Sequence, residues 1–280
     1  MDAYRRRKIT DVVARGACFV ALLVAVVPLA SLLFYIGAKG LGGLSWSFFT
    51  ELPGPVGQLG GGFANAIAGT LVLVGIACAI SLPVGVLAGV YLAEFGGNLF
   101  GKAVRFSADV MSGIPSIAVG VFAYTVFVLT MRRFSALAGG FALSIIMLPT
   151  ITRTAEELIR LVPDSLREAG LALGIPKWRV ILRVVLRTGA PGIATGIMLA
   201  VARAAGETAP LLFTALNNRF WSVRLDRPIA SLPVQIYTYA VSPYDDWHRQ
   251  AWAAALVLVA MVLLLNITAR LITYRRGDNR

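Results

Sequence analysis

Asp164–Pro191 reads D-S-L-R-E-A-G-L-A-L-G-I-P-K-W-R-V-I-L-R-V-V-L-R-T-G-A-P, a basic, amphipathic stretch set between long apolar runs. Pro163 stops the turn before it. Asp164 is placed to cap a helix from Ser165 onward, a negative side chain at the positive helix end. Gly174 ends that helix and Pro176 opens the next, the usual asymmetry of helix termini. In the second helix Trp178, Ile181, Leu182, Val185 and Leu186 fall on one face, and Lys177, Arg179, Arg183 and Arg187 on the other. Such a helix could lie on the inner membrane face, drawn to anionic lipid. The first helix favours a protein dock instead, because Ala169, Gly170, Ala172 and Gly174 leave room for close approach. A chain buried wholly in lipid has no use for either helix.

Outward from this stretch the chain is membranous. Hydrophobic residues make up 58% of it and charged residues 14%, which excludes an ordinary soluble domain. Gly16–Ala38, Leu52–Ala93, Val110–Met131, Phe134–Thr152 and Gln250–Ala269 contain no Asp, Glu, Lys or Arg. Each reaches the roughly 20 residues that cross the hydrocarbon core. A sixth span, Thr188 to about Ala215, carries Arg203 and Glu207. The expected fold is an all-α membrane protein of six transmembrane helices, at about 17–38, 64–92, 108–131, 135–152, 191–214 and 251–271. The loop 153–190 lies on one side. Residues 1–60 form a first helix and a Gly/Pro-rich external loop, 61–275 the main transmembrane unit, and 276–280 a short tail. The stretch Gly54–Gly62 is flexible and polar enough to separate the first helix from the rest.

The net charge of +12 belongs to topology. Arg5, Arg6, Arg7, Lys8, Arg15, Lys102, Arg105, the seven basic residues of 153–190 and Arg270, Arg275, Arg276 and Arg280 share one side. They outnumber Lys39, Arg132, Arg133, Arg219, Arg224, Arg227 and Arg249 on the other. The positive-inside rule puts both termini in the cytosol and leaves nothing for nucleic acid to explain. The first span is too long for a signal-peptide core and is read as retained. Cys18 and Cys78 fall within spans, where they read as small packing residues.

Catalysis finds no support. The single histidine, His248, sits in an external loop beside Asp245, Asp246 and Trp247. Gly96–Ala103 nearly fits a phosphate-binding loop but lacks the Ser/Thr that holds magnesium and follows a membrane helix, not a strand. The chain is expected to bind no cofactor or metal and not to be an enzyme.

The sixth span is chemically loaded: Arg203-Ala204-Ala205-Gly206-Glu207-Thr208-Ala209-Pro210. An arginine at membrane depth costs about 2.5–3.5 kcal/mol on insertion scales, so it should face protein or water. Glu207, one turn on, can pair with it, and Gly206 permits close helix contact. The pair is either a structural lock or part of an ion path; in the second case the guanidinium suits phosphate oxygens. Ser112, Ser116 and Thr208 could line such a path or satisfy carbonyls of their own helices. Pro115 interrupts the third helix, and Asp109 reads as an interfacial cap.

Glu168-Ala169-Gly170, three residues, Gly174, and then Val184 and Leu186 resemble the EAA loop of ABC importer permeases. That loop runs Glu-Ala-Ala, three residues, Gly, nine residues, Ile, one residue, Leu-Pro. Gly170, Val184 and Arg187 depart from it. R-A-A-G-E-T-A-P-L-L-F-T and S-G-I-P-S-I-A-V-G are similar to the phosphate-specific permeases of this type I importer family, nearest to their A-type subunit. The resemblance runs from about Gly60 to Leu271. It implies a multi-pass protein of the bacterial cell inner membrane whose Glu168, Ala169, Gly170 and Gly174 form a coupling helix seated in an ATPase subunit. It implies Arg203, Glu207, Thr208 and Ser116 as path candidates. As partners it implies a homologous second permease, two ATPase subunits carrying ATP and magnesium, an extracytoplasmic phosphate-binding protein, phosphate itself and membrane lipid. A permease for sulfate or molybdate, a self-sufficient ion-coupled transporter and a membrane scaffold are the rival readings.

Overall fold

The structure, a computed structural model, describes the backbone of residues 2–55, 60–222 and 224–278, and the side chains of those from 3 to 271. Part of the Gly54–Gly62 stretch, the side chains of Arg275 and Arg276, and Arg280 lie outside these bounds. Among the described residues the regular elements are helical, apart from one antiparallel bridge between Pro53 and Gly61. They are α1 (Asp2–Leu41), α2 (Trp46–Thr50), α3 (Ala64–Glu94), α4 (Leu99–Gly113) and α5 (Ser116–Met131). After these come α6 (Ala136–Arg160), α7 (Asp164–Ala172), α8 (Lys177–Ala205), α9 (Ala209–Thr214), α10 (Leu232–Ala240) and α11 (Asp245–Asp278). Helices α1, α3, α6, α8 and α11 are long and apolar enough to cross a membrane, and α4 with α5 makes a sixth span if the bent pair is one crossing.

The spine is the α3–α6 pair. Its seam is made of glycines, which let two backbones approach where lipid offers no hydrophobic drive to associate. A Cβ at Gly89 would lie 2.5 Å from that of Ala155, and one at Gly85 would lie 2.8 Å from Ile151 Cγ2. Around the seam Leu73, Leu143, Met147, Ile151 and Leu211 bury almost completely. By contrast α1 shows no buried residue before Gly40. It meets α11 near its end, where Tyr35 packs edge-on against Trp252.

Several boundaries differ from the sequence expectation, each for a physical reason. The third span is not one helix: α4 and α5 meet at 105° around Ile114 and Pro115, because proline removes a donor and excludes helical geometry from the residue before it. The fourth continues to Arg160, beyond the expected 152, since its polar last turns find buried partners. The second amphipathic helix of the opening stretch is the root of the fifth span, α8, which starts at Lys177. Its face is also reassigned. Val180, Ile181 and Val185 are buried while Trp178 and Leu182 are exposed, because a π turn at Ile181–Val185 shifts the register by a residue. That span ends at Ala205, not near 214. The long loop 215–249 contains α10, and the expected tail at 276 is still helical to Asp278. The division at residue 60 falls inside a packed unit, since Phe48 is buried with Phe63 and Tyr239.

Candidate functional site

At one end of the bundle α7 hangs beside the roots of α3, α6 and α8. Pro163, not Asp164, is its N-cap residue. The Asp164 carboxylate accepts from Arg167 Nη1 at 3.0 Å instead of capping the backbone. At the other terminus Gly174 has φ +73°, the left-handed conformation glycine adopts freely. Gly174 N–H donates to Leu171 O at 2.9 Å and Ile175 N–H to Gly170 O at 3.2 Å, the paired bonds of a Schellman ending. Glu168, Ala169, Ala172 and Gly174 are exposed. Gly170 is not: it is buried, and a Cβ there would come within 2.8 Å of Val180. Its smallness serves packing within the chain, which corrects the reading of all four small residues as one docking surface.

Two buried carboxylates organise this end, and neither was singled out from sequence. Glu156, 2% exposed, accepts from Arg105 Nε at 2.6 Å, Arg160 Nη2 at 2.8 Å and Arg153 Nη1 at 3.1 Å. Arg153 also pairs with Asp109 at 3.0 Å, so Asp109 is an ion-pair partner and not a cap. Glu94, 6% exposed, accepts from Arg167 Nη2 at 2.8 Å. A buried charge is tolerated only when paired and hydrogen-bonded, and both carboxylates meet that condition.

In the apolar middle, α8 stops at Ala205 and α9 begins at Ala209. Gly206, Glu207 and Thr208 lie in the gap. Arg203 and Glu207 are 3.8 Å apart, Nε to Oε1, too long for a good hydrogen bond. The Arg203 side chain is 55% exposed. α9 packs on α5, whose Gly120 would carry a Cβ 2.6 Å from Pro210 Cα. Ser116 stands one turn before Gly120 and is half-buried, as is Thr208. Ser112 donates to Ala108 O at 3.0 Å and so serves its own helix. The structure thus sets two interrupted helices against each other and leaves a cation on the chain's surface beside one interruption. Unpaired backbone at membrane depth is tolerated only against protein or water.

At the opposite end Phe48, Phe63, Tyr239 and Trp247 form a continuous ring stack. Burial pushes the Tyr239 phenol above its ordinary value. Asp226 lies between Arg224 and Arg133. The Arg224 hydrogen bond, more than the charges, holds its carboxyl below the usual range. His248 bonds through Nε2 to Ser242 O at 2.7 Å. Among the described residues no group of His, Cys, Asp and Glu is arranged to hold a metal.

Known proteins share this arrangement. Residues 85–275 match the family of binding-protein-dependent transport system inner membrane components. The phosphate transport system permease protein PstA of Yersinia pestis is 48% identical over 97% of this chain and 92% of its own. PstA 1 of Mycobacterium tuberculosis is 39% identical over 96% and 90%. A solved bacterial alginate ABC transporter, in complex with an alginate pentasaccharide-bound periplasmic protein, superposes with TM-score 0.63 at 16% identity, covering 92% of this chain and 96% of its own. An inward-facing methionine ABC transporter gives TM-score 0.58 at 20% identity, over 75% and 92%. With its broken spans and α7 read beside these relatives, the chain belongs to the binding-protein-dependent transport system inner membrane components, and among them to the PstA group of ABC importer permeases.

Proposed function

We propose that this chain passes inorganic phosphate across the membrane as one permease of an ABC importer. The observation that carries the reading is Arg203: a guanidinium more than half exposed at membrane depth, weakly paired, beside a helix break. A cation so placed must face a second protein or a water-filled path. Its planar donors suit an oxyanion. Glu207 tunes that charge, and Thr208 and Ser116 offer hydroxyls nearby. The phosphate transport names of the relatives support phosphate over sulfate or molybdate.

The other half of the path is supplied by a homologous second permease. A phosphate-binding protein delivers substrate on the face away from α7. Both termini and α7 lie in the cytosol, where the positive charge concentrates. There two ATPase subunits, holding ATP and magnesium, receive Glu168 and Ala169 on the exposed side of α7. Gly170 and Gly174 give that helix its seat and its end. ATP-driven closure of the ATPase pair displaces α7 and switches the permeases between outward and inward access. This chain itself performs no bond chemistry.

Arg203→Gln, in the assembled complex, tests the assignment. A charged hydrogen bond is worth about 1.5–3 kcal/mol, so uptake of radiolabelled phosphate should fall about 10- to 150-fold while ATP hydrolysis continues. Unchanged uptake would reduce the arginine to a structural role. Uptake blocked by excess sulfate but not by arsenate would move the substrate to another oxyanion.

A further inference from the structure

We propose that Arg167 is the strut that makes α7 one mechanical body with α3 and α6, so that the Arg167–Glu94 pair transmits the coupling motion. The inference rests on the coupling reading above and adds the contact through which it acts. α7 buries only Gly170, and Leu166, Leu171 and Leu173 stand exposed. Apolar packing therefore cannot carry a load from this helix into the bundle. Its inward attachment is Arg167, whose side chain is 18% exposed. That guanidinium donates to Glu94 Oε1 from Nε at 2.9 Å, to Val162 O at 2.5 Å and to Ile159 O at 2.9 Å. One planar group thus reaches the last residue of α3 and the closing carbonyls of α6.

The receiving end is locked in turn. Arg105 donates to Leu92 O and to Gly96 O, each at 2.8 Å, and Arg160 reaches Leu92 O at 3.4 Å. The last turn of α3 therefore sits between the Glu156 cluster on one side and Arg167 on the other. Behind it runs the glycine seam of α3 and α6, too close-packed to absorb displacement. The covalent route from α7, through the Leu173–Pro176 turn, leads only to α8. Without Arg167 a push on α7 turns α8 alone, and the α5–α9 contact opens without its α6 support. Arg167 touches no substrate; it is a positioning residue.

The experiment uses the full complex in proteoliposomes and reads phosphate transported per ATP hydrolysed. Arg167→Gln and Glu94→Gln should each keep the subunit stoichiometry and the ATPase rate while the ratio falls about tenfold, within the ordinary range of coupling energies. The double variant should be no worse than either single one, because the two side chains act as a pair. Spin labels at Ser165→Cys and Leu87→Cys add a readout that loss of stability does not move. Their separation should stay fixed on vanadate trapping when Arg167 is present and change when it is glutamine. A wild-type ratio in both variants, or an unchanged separation in Arg167→Gln, overturns the proposal. Should Arg167→Gln fail to assemble, Glu94→Gln decides alone, since it spares every carbonyl bond of the arginine. A wild-type complex that hydrolyses ATP without moving phosphate would instead sink the transport reading.

Discussion

The two ends of this molecule are fastened by different forces. Around α7 the fastening is ionic and internal, with Glu94 and Glu156 held inside by four arginines. Around α10 it is apolar: Phe48 and Phe63 stack at 4.9 Å and Tyr239 and Trp247 at 4.2 Å, while the ion pairs there lie outside the packed rings. Ionic attachment is directional and fails abruptly when one partner goes. Ring packing is spread over area and degrades in proportion to what is removed. An end that must deliver displacement gains from the first kind, and an end that holds shape gains from the second.

Three measurements would break or sharpen this contrast. Glu156→Ala should have the largest effect, leaving three arginines without their carboxylate at a cost of about 3–5 kcal/mol. It should appear as a steep loss of thermal stability in detergent, together with solvent entry at Arg105. If the variant melts like the parent, the ionic end is ornament. Phe63→Ala should cost about 3 kcal/mol, read in the same melt, and should leave α7 protected in hydrogen exchange. Deprotection at α7 would mean that the two ends are not independent. The smallest effect belongs to Asp226. Its folded carboxyl is held low, chiefly by the Arg224 hydrogen bond, so its contribution is complete above the ordinary carboxylate value and fades as pH falls through the lower folded one. Proteolysis of the 217–227 loop should therefore stay constant from neutral through mildly acid pH and rise only below the usual carboxylate range. Asp226→Asn should remove that dependence. A rise already near pH 6 would contradict the assignment.

Much of this architecture was legible in the residue order. Uncharged runs located the spans, since hydrocarbon thickness fixes their length. Gly174 and Pro176 announced the end of α7 and the start of α8 because each permits or forbids specific backbone angles. What stayed hidden was pairing at a distance. Glu94 and Arg167, or Arg105 and Glu156, are far apart along the chain, and no local spacing reports that they meet. The bend at Pro115 was signalled as an interruption, but hydropathy carries no direction and could not give its angle. The π turn in α8 was equally silent, and it moved Trp178 and Leu182 from the expected buried face to an exposed one. At the candidate path, Arg203 and Glu207 were evident from composition alone. That a helix ends between them was not, although Gly206 stood there.

Arg203 also bears on how the protein is made. A solitary copy in the bilayer would keep a guanidinium and an open helix break against acyl chains, and could satisfy them only by drawing in water and thinning the membrane locally. Such a defect is a physical tag that only union with another subunit erases. Unmatched copies therefore advertise themselves to membrane quality-control proteases, and subunit ratio becomes self-correcting after synthesis.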